Sequence, residues 1–153
     1  VLMSAMACSK KENKDELSLK LFSESMEMHD QIMPLMDEMY KLERKLKSLR
    51  DSLRTDSVSN RGKLYTLTGS LNKLQVASKG MMDWMHNIKD VPRSMLKSDH
   101  GNHSQSGNHT DKEISMDTVL RVQQEQKAAI ELVREAMENS IEEARNVVSS
   151  KKE

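Results

Sequence analysis

Apolar side chains recur along this chain at alternating intervals of three and four residues, the interval that keeps them on one face of an α-helix. The pattern is cleanest in Leu64, Leu67, Leu71, Leu74, Ser78, Met81, Met85 and Ile88. It is an unbroken seam of the coiled-coil type and predicts a helix over about 62–90, ended by Val91-Pro92. Upstream, Phe22, Met26, His29, Met33, Met36 and Tyr40 form one stripe, and Met39, Leu42, Leu46, Leu49 and Leu53 a second. Together they predict a helix over about 16–54, opened by an Asn13/Glu16 capping box. The two stripes change phase just after Pro34, where a missing backbone donor predicts a kink. Downstream, Ile114, Met116, Val119, Leu120, Gln123, Ile130, Val133, Met137, Ile141, Ala144 and Val148 predict a third helix over about 111–149, with Thr110 and Glu113 as its capping box.

The connections complete the architecture. Thr55 to Gly62, TDSVSNRG, is a polar turn of the length that joins antiparallel neighbours. The stretch 97–110, low in complexity and built of Ser, His, Gly and Asn, reads as a flexible loop. The expected fold is all-α: an elongated antiparallel three-helix bundle, up-down-up, with coiled-coil-like packing over residues 16–150. Gly69 and Gly80 interrupt the second helix, as sites where a neighbour can come close.

Composition narrows the function classes. The chain of 153 residues balances 24 Lys and Arg against 24 Asp and Glu, so it lacks the overall positive field of a nucleic-acid binder. Its single cysteine, Cys8, excludes a disulfide framework and a cysteine zinc site. None of the motifs that mark a nucleotide loop, a zinc protease or a serine nucleophile is present, so no catalytic residue and no enzyme is expected. The local charge is uneven, however. From Lys41 to Lys63 there are eight Lys and Arg against Glu43, Asp51 and Asp56, a basic pole near the first turn. Arg44, Arg50 and Arg54 there are candidate contacts for an acidic protein or a polysaccharide. Trp84 is a further candidate contact unless it closes the core.

Thirteen methionines are several times the usual share, most of them in MEMHDQIMPLMDEMY and MMDWMH. With a turn centred near residue 58, residues of the first two helices whose numbers sum to about 116 lie level. That brings Met26, His29 and Met33 level with Met82, Met85 and His86, and Met116 returns to a similar height. Thioethers with imidazole suit Cu(I), so this layer is a candidate copper site and copper the one candidate cofactor. The competing reading is that methionine simply fills the gaps of an irregular core. His100, His103 and His109 in the loop read as polar linker with a looser affinity for metal.

The N-terminus suggests an address. Residues 1–7, VLMSAMA, are apolar or small and lead directly into Cys8. The run is too short to span a bilayer, which takes about 20 apolar residues. Ala5-Met6-Ala7-Cys8 resembles a lipobox, which makes 1–7 the remnant of a lipoprotein signal peptide. Cys8 is then the lipidated residue and 8–15 a tether.

The runs MHDQIMPLMDEMYKLERKL and SKGMMDWMHNIKD resemble small bacterial envelope lipoproteins that carry the label "viral A-type inclusion protein". The resemblance rests most on His29-Asp30, Met33-Pro34 with Met36, and Met81-Met82 with Trp84-Met85. It implies a helical lipoprotein held in the bacterial cell envelope by its N-terminal lipid, with no established activity. Two function classes stay open: a non-enzymatic structural or protein-interaction module, and a metal-handling protein holding Cu(I).

Overall fold

The heptad-like stripes fold as three helices. The computed structural model describes residues 13–92 and 114–150. Helix α1 runs Lys14–Leu53, 40 residues, and passes through a 3-10 turn at Arg54–Asp56. Helix α2 spans Arg61–Asn87 and α3 spans Met116–Ser149. At 1.5 Å per residue α1 is roughly 60 Å long, so the bundle is a rod. Among the described residues no helix is long and apolar enough to cross a membrane.

Side-chain pairs set the directions. Glu24 meets Lys127, Glu38 meets Arg145 at 2.6 Å, and Lys14 meets Asp117, so α1 and α3 run parallel with numbers offset by a nearly constant amount. Gln75 reaches back to Glu43 at 2.7 Å, and Trp84 reaches His29, so α2 runs against α1. Lys73 pairs with Glu143 and Trp84 with Gln126, so α2 also runs against α3. The topology is up-down-up.

The helix ends follow local chemistry. Asn13 caps α1 with its side-chain oxygen, accepting from Asp15 N–H. Helix α2 stops at Asn87, three residues before the expected end. There the Lys89 N–H donates to Gln126 Oε1, while Gln123 and Gln126 donate to the Lys89 carbonyl at 3.0 and 3.1 Å. These glutamines on α3 take the groups that another helical turn would need. Helix α3 begins five residues later than expected, because Ser115 is its cap and accepts from Thr118 N–H at 3.3 Å. The Thr110/Glu113 box lies outside the described residues.

The seam of α1 holds the expected Met36, Met39, Leu42 and Leu46 but departs from the expected stripe in its N-terminal half. Ser18, Ser25, Ile32, Met39 and Leu46, each seven residues after the last, are its buried line. This heptad continues through Pro34, which sits on the exposed side, with no change of phase. The apolar stripe through Phe22, Met26 and Met33 is half-buried flank, and Tyr40 is 49% exposed. Small serines hold the seam at its N-terminal half; Ser25 Oγ donates to the Leu21 carbonyl at 2.8 Å, a bond within its own helix. In α2 the buried set is Leu67, Ser70, Leu71, Leu74, Ala77, Met81 and Trp84, so the seam turns toward Ala77 and Trp84 and leaves Ser78 and Met85 at its edge. The glycines do not permit close approach. A methyl at Gly80 would meet Val133 Cγ2 at an ordinary 3.7 Å, and one at Gly69 would meet nothing.

Candidate functional site

The methionine–histidine layer is divided by the helical phase of α2. Because Met81 and Trp84 face inward, Met82 and His86 face out: Met82 is 41% exposed and His86 is exposed, its Nδ1 donating to the Met82 carbonyl at 2.7 Å. Met26, Met33 and Met85 are half-buried against the core. Met116 is half-buried, with its Sδ 3.9 Å from Ser18 Oγ. Six of the seven residues read as one copper layer thus lie near one level without sharing one face, and Met116 does not lie at that level, because the register of α3 on α1 sets it beside Ser18, eight residues before Met26. Among the described residues no three His, Cys, Asp or Glu side chains gather into a group able to hold a metal ion. Cys8, His100, His103 and His109 lie outside the described residues.

His29 has a different neighbour from the one the register suggested. Its ring stacks on the Trp84 indole, with centroids 5.7 Å apart and planes 24° from parallel, and its Nδ1 is 2.9 Å from Asp30 Oδ1. Trp84 is 6% exposed, and its indole N–H donates to the Gln126 carbonyl at 3.0 Å. As a surface contact for a partner, Trp84 is thus corrected to a core residue: its ring is large enough to close the bundle, and its one polar atom finds a backbone acceptor.

The charged residues of the first turn do remain on the outside. Asp51 is shared by Arg50 at 3.3 Å and Arg54 at 4.0 Å, and Glu43 holds Lys47 at 3.1 Å. Burial pushes the Glu43 carboxyl up, but hydrogen bonds from Gln75 and Lys47 outweigh it and leave it below its ordinary value. Lys41, Arg44, Lys45, Arg61 and Lys63 are exposed, and none has a carboxylate partner among the described residues. No side chain caps the N-terminus of α2 either. Asn60 turns its amide N–H toward the Asp56 carbonyl, at 2.9 Å, and no acidic residue stands in the first turn. An uncapped helix N-terminus adds partial positive charge to that of Arg61 and Lys63.

Within this pole lies a cleft that the sequence pattern did not reveal. Leu49 and Leu53 of α1, Leu67 of α2 and Val147 of α3 wall a cavity of about 400 Å³, with Gly62 and Lys63 at its edge and Thr66 and Ser150 completing it. Its walls come from all three helices, and Leu49 and Leu53, the last apolar residues of α1, are only half-covered. The signal that could have found it is Gly62, a glycine in the first turn of a helix beside the final leucines of the seam.

Comparison with protein-family models, with curated proteins and with solved structures finds no match.

Proposed function

We propose that this chain is a non-enzymatic structural or protein-interaction module of the bacterial cell envelope, tethered through a lipid on Cys8, which meets an anionic envelope protein or polysaccharide with its basic pole. The observation that carries this reading is the run of eight Lys and Arg from Lys41 to Lys63, in the half of the rod away from Asn13, of which Lys41, Arg44, Lys45, Arg61 and Lys63 are exposed with no carboxylate partner among the described residues. Along the shaft, two cations of α3 are paired with carboxylates of α1, Lys127 with Glu24 and Arg145 with Glu38. A tether at one end and a contact at the other is a use to which a stiff helical rod is suited. The divided methionine–histidine set favours this reading over the holding of Cu(I).

The test has two arms in the native bacterium. Metabolic labelling with a palmitate analogue is expected to mark the wild-type chain and not Cys8→Ala. Crosslinking in cells is expected to give a reproducible neighbour that disappears when Arg44, Lys45 and Lys63 are changed to Glu. An unacylated mature chain would remove the anchor, and crosslinks indifferent to the charge reversal would remove the contact.

A further inference from the structure

The cleft at the basic pole has a chemistry that the interaction reading does not use. Its walls are aliphatic, formed by Leu49, Leu53, Leu67 and Val147, and its size falls within the range of small-molecule sites, about 300–1,000 Å³. Its edge is cationic: Lys63 has no carboxylate partner among the described residues, and it stands in the first turn of α2, which no side chain caps. An apolar cavity beside concentrated positive charge suits a ligand with the same two halves, an alkyl tail and an anionic head.

Gly62 gives a way to block the cleft without disturbing the helix. It lines the cleft, its backbone is helical rather than left-handed, and a Cβ built on it meets no atom within 4 Å. Neither backbone conformation nor packing requires glycine here, and glycine is among the poorest residues for a helix. A larger side chain can therefore be placed at this edge of the cleft without displacing an atom of the described residues.

We propose that this cleft binds a fatty-acid anion, its alkyl chain lying between Leu49, Leu53, Leu67 and Val147 and its carboxylate at the α2 N-terminus beside Lys63. The site shares Lys63 with the partner contact proposed above but needs neither the lipid on Cys8 nor a macromolecule, so binding of a small probe to the purified chain tests it apart from crosslinking in cells. Either can fail without the other.

The test is calorimetric titration of the full chain carrying Cys8→Ser, so that no attached acyl chain competes. Three probes share one tail: decanoate, decanol and decyltrimethylammonium, each kept below its micelle concentration. Decanoate is expected to bind saturably at one site, at least roughly tenfold more tightly than decanol, with the cationic probe weakest. Lys63→Glu is expected to weaken decanoate by roughly tenfold and leave decanol nearly unchanged. Gly62→Leu fills the cavity and is expected to abolish binding of both while the thermal midpoint stays level or rises. Gly69→Ala, away from the cleft, serves as the control and is expected to bind as the parent does. The proposal is overturned if decanoate shows no saturable binding, if the three probes bind alike, or if folded Gly62→Leu binds as the parent does. Should Gly62→Leu not fold, the Lys63→Glu contrast between decanoate and decanol decides.

Discussion

The two ends of α2 are finished in opposite ways. At its C-terminal end Trp84 stacks on His29 and donates to Gln126, while Gln123 and Gln126 together take both backbone groups of Lys89. Gln123 is fully buried there, and its amide is satisfied by Lys89 and by Gln126. At its N-terminal end no side chain caps the helix, Leu49 and Leu53 of α1 are half-covered, and Arg61 and Lys63 lack carboxylate partners among the described residues. A saturated polar network fixes one geometry, because any slip leaves buried groups without partners. An end with open valences leaves room for something else to supply them. The comparison therefore separates the part of the rod that sets its register from the part available for contact.

The largest test of this contrast is truncation at each end. Trp84→Ala is expected to cost about 3–5 kcal/mol in urea unfolding, since it removes a buried ring, its stack and the indole bond to Gln126. Leu53→Ala at the open end is expected to cost about 1 kcal/mol, because its side chain is only partly covered. Equal losses at the two ends would erase the distinction.

A smaller effect lies along the shaft of α2. Ser70 is fully buried, and its hydroxyl has no hydrogen-bond partner among the described residues. Ser70→Ala removes an unsatisfied polar group and improves helix propensity, so it is expected to stabilise by about 1 kcal/mol in the same measurement. A loss of that size instead would show that the hydroxyl is answered, and that saturation extends beyond the Trp84 end.

The smallest expected effect is electrostatic. The hydrogen bond from Lys127 outweighs partial desolvation and holds the Glu24 carboxyl below its ordinary value of 4.5, and the same bond raises the Lys127 ammonium above 10.5. For Glu24 the contribution to stability is present above the ordinary carboxylate value and is lost as pH falls through the lower folded value. For Lys127 it is present below the ordinary ammonium value and is lost as pH rises through the higher folded one. The pair thus acts across neutral pH. Both groups are substantially exposed, so the gain is modest. Urea midpoints at pH 7 and pH 3 are expected to differ slightly less for Glu24→Gln than for the parent. An unchanged difference would mean that the pair contributes nothing to holding α1 on α3.

How far the pattern could be read depended on what each residue reports. Leu67, Leu71, Leu74 and Met81 announced the α2 core, because a large apolar side chain at helical spacing has nowhere else to go. Ser18 and Ser25 announced nothing, since a serine on a helix is usually solvated, and reading only apolar residues shifted the α1 stripe to Met26 and Met33. The level of His29 against α2 was legible from turn length. Its partner was not: height along a helix comes from residue number, but facing depends on rotation, and rotation placed Trp84 inward and His86 outward. The basic pole was legible residue by residue, whereas the cleft inside it takes its walls from all three helices and so needs their packing.

By itself the sequence determined three helices, their order and the antiparallel return of the second, because heptad spacing and a short polar first connection are local properties of the chain. Tertiary structure alone decided which serines lie in the seam, where α2 stops, which side the methionines face and where the core is left open. Each of those depends on atoms of another helix: the glutamines that take the Lys89 backbone, the indole that meets His29, and the valine that walls the cleft from the far side.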